Sequence, residues 1–452
     1  MDIRKQTISS FQMSVLFFVF MTGSSIIFVP GPLIERAGNS AWVSLLLSGG
    51  TGFAILGMLL FLNRRFPSMT YIDISRKMLG STITLLFGLL TMTYLFHMQA
   101  AIVVGVGQFM ISSMLRETPM YVFTFLIFLI SSLTARAGIE VMARMFMLIM
   151  VITAVSVMIV LTLALPDYHP SMLLPIMPKG IVPVFYGAYY TFGFPFVEIF
   201  LFGMLLPFTA RKKRRLLPKH MLISLGVSTF LLCTVTLCSI MVFGAYAAEN
   251  PYLLFSIARL VEFQEIIQRI ESIIGMALIL GSYMKTTITL FVLSLFMARL
   301  FRIKDSSVLV MPVALSGFLL GLVSYDSATQ WFGIITTVHP LWTALVLFCP
   351  LLVVTLTAAI RQPSIQGTGP DTEPAQQGVA IENADGCTGQ SPDAGDESPG
   401  DPESTGQSPD ADDESMGNAG SASEINGVTG KKGSREQGSA AGGPKHSGSS
   451  AS

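Results

Sequence analysis

The sequence predicts an all-α membrane protein with ten transmembrane helices, and two observations lead to this prediction. Of the 452 residues, 51% are hydrophobic and only 12% are charged, whereas a soluble protein is about one quarter charged. The apolar residues also stand in long uninterrupted blocks. Ala41–Leu62, for example, contains no ionisable residue and is long enough to cross a hydrocarbon core of roughly 30 Å.

Ten blocks of this kind occur, and we interpret each of them as one span. The first block follows Arg4 and Lys5 as a signal peptide would, but it is long for one and shows no cleavage site, so we expect a retained helix. The third and tenth blocks are long enough to tilt or bend, and the fourth and ninth are short. The predicted spans are Ile8–Val29, Ala41–Leu62, Ile83–Ser112, Tyr121–Leu133, Met142–Leu165, Ile181–Leu206, Leu216–Phe243, Ile270–Leu295, Val308–Val323 and Phe332–Ile360.

The charged loops predict the orientation of these spans. If the N-terminus is cytoplasmic and the sides alternate, the cytoplasmic segments hold 18 Lys and Arg residues and the outer segments hold 5. This bias obeys the positive-inside rule, and one missed span would scramble it. We therefore predict a protein integral to the lipid bilayer with both termini in the cytoplasm.

Charge also divides the chain into two parts near Arg361. Residues 1–361 hold 24 Lys and Arg and 13 Asp and Glu, whereas residues 362–452 hold 4 and 15. The second part is rich in Gly, Ser and Pro, so it cannot bury enough apolar surface to offset its chain entropy. We predict a ten-helix membrane domain over residues 1–361 and a disordered acidic tail over residues 362–452. The near-duplicates Thr388–Ser398 and Thr405–Ser415 suit either a basic partner or repeat slippage.

Spans one and six carry residues that interrupt a helix. Glycine, proline and small polar residues inside a span mark irregular backbone that lines a cavity. Five spans precede the loop around Asp167 and five follow it, so these are the first spans of two inverted halves, where matched interruptions indicate a midplane substrate site. Close packing and a simple proline kink are the alternatives. The ligand-binding residues predicted from the interruptions are Gly23, Ser24, Ser25, Thr191, Phe192 and Gly193.

Span three carries a polar stripe that shares one helical face. Its residues are spaced by three or four positions, as on one side of a helix. A hydroxyl and an imidazole beside small residues suit the border of a ligand cavity, and they equally suit a seam between packed helices. The stripe consists of Tyr94, His97, Ala101, Gly105 and Gln108, of which the first three are predicted ligand-binding residues.

Span eight contains Lys285, followed by Thr286 and Thr287. A charge at this depth is costly and is usually functional or paired. We predict an ion, proton or gating role for Lys285 and Glu198, with a direct Lys285–Glu198 pair and snorkelling of Lys285 as alternatives. Thr286 and Thr287 are predicted ligand-binding residues.

Before span eight, the pattern of residues 253–269 predicts an amphipathic helix on the outer face of the membrane or over the bundle. The alternative is a lengthened start of span eight.

The breaks suggest the ligand. Half-helix ends and free backbone groups suit the carboxylate and ammonium groups of a zwitterionic amino acid. On this interpretation Gly193→Leu fills the pocket and abolishes the ligand response while membrane insertion stays intact. The sequence shows no phosphate-binding loop, metal-ligand cluster or nucleophile elbow, so we predict no catalysis, no cofactor, no metal and no nucleic-acid partner.

Two stretches of the chain resemble the B subunit of bacterial spore germinant receptors. The resemblance implies a LeuT-like fold of the amino acid–polyamine–organocation superfamily, a 5+5 inverted repeat with broken helices 1 and 6. It also implies a place in the spore inner membrane, receptor A and C subunits as partners, and sensing of a germinant that is commonly an amino acid. The matching residues are Gln12, Gly23, Pro30, Ala37-Gly38 and Ala41-Trp42 in the first stretch, and Pro251, Arg259-Leu260, Glu262, Arg269 and Glu271 in the second.

Two other functions fit the same residues. An ordinary amino-acid or organocation permease would have the same spans and the same pocket. A membrane anchor for an interacting acidic tail is the third reading, because the long tail departs from the pattern of the family. Uptake into vesicles distinguishes the permease, and truncation after Arg361 distinguishes the anchor.

Overall fold

The computed structural model describes residues 6–178, 180–260 and 270–361. Nearly all of these residues are helical, and the β-structure among them is a single bridge between Ile8 and Thr209. The predicted acidic tail, residues 362–452, lies outside the described residues. The predicted fold class, an all-α membrane protein, is confirmed.

Within the described residues, ten helical segments are long and apolar enough to cross a membrane, as predicted. We number them as spans 1 to 10. Spans 1, 6 and 10 are each divided into more than one helix. The helices are Ser10–Thr22, Ser25–Phe28 and Pro30–Ala37 in span 1, Ala41–Arg65 in span 2, Ser81–Ser113 in span 3, Met120–Ala137 in span 4, Ile139–Leu163 in span 5, Val182–Thr191 and Phe202–Leu205 in span 6, Leu217–Phe243 in span 7, Glu271–Leu300 in span 8, Ser307–Ser324 in span 9, and Ala328–Thr343 and Cys349–Ile360 in span 10.

The start of span 1 is fixed by a capping box and by a contact with span 6. Ser9 Oγ accepts a hydrogen bond from the Gln12 backbone N–H, and Gln12 Oε1 accepts one from the Ser9 N–H. Such reciprocal bonds satisfy the free donors of a helix N-terminus. One residue earlier, the Ile8 N–H donates to the Phe208 carbonyl at 3.0 Å. The predicted cytoplasmic ends of spans 1 and 6 are therefore tied together.

Several spans are longer than the apolar blocks predict. Span 4 runs on to Ala137 and ends at Gly138, whose φ of +97° favours glycine and stops the helix. Span 10 begins four residues before its predicted start, because Ser327 accepts a hydrogen bond from the Gln330 N–H and caps the helix. Polar residues in these end turns hide the helix from a hydropathy criterion while their backbone bonds continue it.

Spans 1, 6 and 8 form the centre of the bundle. In their most apolar windows 78%, 78% and 83% of the residues are buried, compared with 22% in span 5. Span 8 carries Lys285 and packs against span 3 and the inner half of span 1. The spans with predicted site residues are thus those that the fold shields from lipid.

A short helix, Leu253–Leu260, packs over the predicted outer end of the bundle. Leu253 and Ile257, on the predicted amphipathic stripe, are fully buried, whereas Leu260 is half exposed. The helix is separate from span 8, which begins at Glu271. The predicted continuation of the stripe through Gln264 and Ile267 lies outside the described residues.

Candidate functional site

The helix of span 1 is interrupted at Gly23 and Ser24. Helix Ser10–Thr22 ends there and the next helix begins at Ser25, although Gly23 and Ser24 keep right-handed helical dihedral angles. At Gly23 the backbones of spans 1 and 8 touch, since a Cβ atom on Gly23 would lie 2.6 Å from the carbonyl oxygen of Gly281. The break in span 1 is therefore held against span 8 by a contact that only glycine permits.

Span 6 is interrupted where the sequence places Pro195. Residues 192–196 form a wide turn in which Phe194 is extended, with φ −135° and ψ 112°. Pro195 has no N–H to donate to the helix, and the following residues to Leu201 form tight turns. Phe194 and Ser24 line the same cavity, so the breaks in spans 1 and 6 meet, as the inverted repeat predicts.

A buried ion pair lies beside these breaks. Lys285 Nζ is 2.6 Å from Glu198 Oε2, and the two side chains are 0% and 2% exposed. The ammonium group also lies 4.2 Å from the ring centroid of Phe194 and 5.1 Å from that of Phe20, which is cation–π distance. Of the roles that the sequence left open for Lys285, the structure shows the pairing with Glu198.

The energetics of this pair make it sensitive to change. Two ions taken out of water are costly, and their attraction offsets that cost only when both are present. Removing one partner from a buried pair costs about 3–5 kcal/mol, whereas replacing both by apolar groups of similar volume is often neutral. The stability of the folded protein therefore depends strongly on whether both members of this pair carry their charges.

A small cavity adjoins the pair at Glu198. Its volume is about 20 Å³, and one water molecule requires roughly 10–15 Å³. A free amino acid does not fit into this space, so the structure presents the site in a closed form. Residues from spans 1, 3, 6 and 10 line the cavity, namely Ser24, Phe28, Met98, Ala101, Ile102, Phe194, Glu198, Trp331, Ile335 and His339.

Spans 3 and 10 are joined by two polar contacts at the cavity wall. Tyr94 Oη and His339 Nε2 are 3.0 Å apart, and the Trp331 indole N–H donates to the Ala101 carbonyl at 2.9 Å. Among the described residues, His339 Nδ1 has no hydrogen-bond partner. His339, which lines the cavity together with Glu198, thus keeps a buried imidazole nitrogen with an unused hydrogen-bonding site.

An aromatic cluster adjoins the cavity on the predicted outer side, and two of its rings, those of Phe28 and Trp331, line the cavity. The ring centroid of Phe28 lies 5.1 Å from that of Trp331 and 5.9 Å from that of Tyr252. Aromatic pairs at such distances contribute about 0.5–1.5 kcal/mol each beyond their burial. We call this cluster the aromatic lid, and it consists of Phe28, Phe109, Tyr252, Phe255, Trp331 and Phe332.

The polar stripe of span 3 faces span 10, and both interpretations of it apply. Ala101 lines the cavity, and Tyr94 holds the imidazole of His339. Gly105, by contrast, packs against the Trp331 ring, which a Cβ atom at this position would contact. The ring of His97 packs edge-on against Trp342, with 5.0 Å between the ring centroids. The stripe is a packing seam along most of its length and a cavity wall at its centre.

The predicted hydroxyl residues of spans 1 and 8 are deeply buried. Ser25 and Thr286 are 0% exposed, and their hydroxyl groups have no hydrogen-bond partner among the described residues. The Thr287 hydroxyl donates to the Tyr283 carbonyl at 2.7 Å. Ser25 and Thr286 therefore offer unused hydrogen-bonding capacity near the breaks, whereas the Thr287 hydroxyl is already engaged.

The predicted residues of span 6 before Phe194 contact neighbouring helices outside the cavity. Thr191 Oγ1 lies 2.7 Å from Ser48 Oγ in span 2, and the ring of Phe192 packs against Phe348 at 5.7 Å. A Cβ atom on Gly193 would lie 2.6 Å from Pro340 Cα. Gly193→Leu would consequently push span 6 away from span 10, so a packing defect, and not a filled cavity, is its expected result.

Span 10 supplies three cavity residues that the sequence analysis did not single out. Trp331, Ile335 and His339 are spaced by four positions and share one face of the helix. That spacing was visible in the sequence, but the first of the three lies before the predicted start of the span. Phe28, Met98 and Ile102 were missed because isolated apolar residues in an apolar span carry no distinguishing signal.

The ten spans of the described residues, with breaks in spans 1 and 6 that meet at a buried polar site, define a LeuT-type transporter fold. The Na⁺-coupled sialic acid symporter shares the fold with a TM-score of 0.55 at 10% identity, over 75% of this chain and 79% of that one. MhsT in complex with L-phenylalanine has a TM-score of 0.55 and 14% sequence identity, and the match covers 78% of this chain and 99% of MhsT. A mutant of the Eremococcus coleocola manganese transporter has a TM-score of 0.57 and 13% sequence identity, and the match covers 76% of this chain and 78% of that transporter.

The family is shown by sequence comparison. The family model described as "Spore germination protein" matches residues 7–327, so this chain belongs to the spore germination protein family. Spore germination protein KB of Bacillus subtilis (strain 168) is 24% identical over 346 residues, 75% of this chain and 91% of that protein. Spore germination protein YndE of the same organism is 26% identical over 311 residues, 66% and 83%. The family resemblance predicted from the sequence is confirmed.

Proposed function

We propose that this chain is the B subunit of a nutrient germinant receptor in the spore inner membrane and that it binds a small amino acid at the cavity beside Lys285 and Glu198. Family membership supports a role in germination, and the transporter fold supports a small-molecule site at mid-depth. The observation that carries the proposal is the buried ion pair at the point where the two helix breaks meet.

The ion pair is chemically matched to a zwitterion. The ammonium group of an amino acid pairs with Glu198, and its carboxylate pairs with Lys285. The two charged groups of the ligand thus replace the direct Lys285–Glu198 interaction, and neither protein charge is left unpaired. The hydroxyl of Ser24 and the free nitrogen of His339 supply further hydrogen bonds. The apolar walls, among them Ile102, limit the size of the ligand side chain.

Binding at this site requires a rearrangement. The cavity of about 20 Å³ must widen to accept an amino acid, and the aromatic lid must open on the predicted outer face. Both changes move spans 1, 6 and 10 relative to one another. A receptor requires that binding of the ligand changes the positions of its helices. We expect the receptor A and C subunits to respond to this movement of the spans.

We expect Ala101→Leu to raise the germinant concentration for half-maximal response about tenfold or more. The added isopropyl group enters the cavity that the ligand must occupy, and overpacking of this kind costs about 1–3 kcal/mol. The measurement is a germination dose–response curve with the most effective standard amino acid. Ala359→Leu, on the exposed surface of span 10, is the matched control and is expected to leave the curve unchanged. An unchanged curve for Ala101→Leu would exclude the cavity as the ligand site.

Gene deletion tests the function itself. In a strain with no other B-type subunit, spores without this chain are expected to lose germination with every nutrient tried, and the restored gene is expected to recover it. Normal nutrient germination without the chain would contradict the proposal. Concentrative uptake of a labelled amino acid by vesicles that contain the purified chain would support the permease instead.

A further inference from the structure

A second cavity, of about 240 Å³, lies between spans 1, 5, 7 and 8. Its inner wall includes Gly23 and Gly281, where the backbones of spans 1 and 8 touch. Its rim includes Met158 of span 5 and Phe230 of span 7, which are 56% and 73% exposed. Because these rim residues belong to membrane spans, the cavity opens sideways into the bilayer.

The lining of this cavity is apolar, and its few polar groups are satisfied. The Thr22 hydroxyl donates to the Phe18 carbonyl at 2.7 Å, and the Thr153 hydroxyl donates to the Met150 carbonyl at 3.0 Å. The remaining lining side chains are aliphatic, aromatic or thioether groups. A ligand here gains nothing from polar groups and gains dispersion contacts from apolar ones.

The volume and the location restrict the class of occupant. A dry apolar cavity of roughly 150 Å³ already takes up benzene, so a space of 240 Å³ accommodates an apolar chain. A transmembrane helix, about 10 Å across, would place less than one turn in that volume. The apolar chains that reach a lateral opening in a bilayer are those of the lipids themselves.

We propose that the acyl chain of a membrane phospholipid occupies this cavity and packs against the break in span 1. The chain fills the space between Gly23 and span 5, which Thr22 and Ile26 of span 1 also line, whereas Ser24 and Phe28 of span 1 line the cavity beside Glu198. Occupancy by lipid and the position of the break are thereby coupled. This inference is independent of the proposed germinant site, because it concerns a different wall of span 1.

Photolabelling tests the proposal. The purified full chain is reconstituted in vesicles of phosphatidylglycerol that contain a phospholipid with a diazirine on its acyl chain, irradiated, and mapped by mass spectrometry. We expect adducts on residues 150–158 and 227–231 at several times the level on the reference surface, residues 85–90 of span 3, which is also exposed. Equal labelling of the two surfaces would overturn the proposal.

Two variants of neighbouring residues in span 5 make the test specific. Ala154→Trp fills the cavity, whose wall includes Ala154, and is expected to reduce the adducts at this site at least fivefold. Val155→Trp places the same ring on the exposed surface one residue away and is expected to leave them unchanged. Ala154→Leu serves if the tryptophan variant does not fold. Undiminished labelling of this site in the folded Ala154 variants would contradict lipid occupancy. The same labelling is also carried out in native membranes, and absence of adducts there, because a partner protein covers the opening, would contradict it as well.

Discussion

Neutralising one member of the buried pair, by Lys285→Met or by Glu198→Gln, is expected to abolish the response to amino acids. Each change leaves the other charge buried without its partner, which costs about 3–5 kcal/mol. It also removes the group that pairs with one end of the ligand, and loss of a buried charged partner weakens binding by about 2 kcal/mol or more, roughly 30-fold. The measurements are the amount of receptor in spore membranes and the germination dose–response curve.

The double variant Lys285→Met with Glu198→Met, which replaces both ions by apolar groups of similar volume, separates stability from recognition. Because no charge is left unpaired, we expect the amount of receptor to recover to near the unmodified level. The amino-acid response is expected to remain absent, since neither end of a zwitterion finds its partner. Glu35→Gln and Lys304→Met, at exposed positions, are the matched controls and are expected to behave as the unmodified chain. A double variant with full response would show that the pair is only structural.

Replacing Gly281 by valine is expected to have the second large effect, a strong loss of folded receptor. Gly281 is in direct backbone contact with Gly23, and neither main chain can move aside as a flexible side chain would. Overpacking of a well-packed core costs about 1–3 kcal/mol, and here it also displaces the break in span 1. The measurement is the melting temperature of the purified protein in detergent together with its amount in membranes.

Gly50 and Gly333 offer controls for that substitution. An added Cβ atom at either position meets no atom within 4 Å, although both glycines lie in membrane spans. We expect Gly50→Val and Gly333→Val to leave the amount of receptor and its melting temperature nearly unchanged. If Gly281→Val is tolerated as well as these two variants, spans 1 and 8 do not touch as described.

The fold was predictable because hydropathy and charge report it directly. Blocks such as Ala41–Leu62 are long enough to cross a bilayer, and the alternation of loops rich and poor in Lys and Arg predicts the same number of spans as hydropathy does. The ends of the spans were less predictable. Span 4 and span 10 extend through polar turns whose hydrogen bonds, such as the cap at Ser327, leave no trace in hydropathy.

The candidate site was predictable only in part. Proline and glycine in spans 1 and 6 indicate where the backbone breaks, and an intramembrane lysine indicates that a partner is needed. The direction of each side chain around the break depends on local geometry that the sequence does not express. Thr191 and Gly193 stand two to four residues before Pro195, yet they face spans 2 and 10, whereas Phe194 turns into the cavity because its backbone is extended.

Residues contributed by span 10 illustrate a second limit. His339 is one of five scattered histidines in the sequence, and nothing near it in the chain indicates a ligand site. Its significance comes from its neighbours in space, Tyr94 of span 3 and the cavity shared with Glu198. Contacts between residues so far apart in the chain arise from the packing of the inverted halves, which a single sequence does not reveal.

The most direct test of the central claim is a structure of the receptor by electron cryomicroscopy with the most effective standard amino acid at saturating concentration. We predict ligand density between Glu198 and Lys285, with the two side chains drawn apart and the aromatic rings of Phe28 and Trp331 separated. Density for the amino acid at any other place, with the 2.6 Å pair intact and the cavity still closed, would contradict the account.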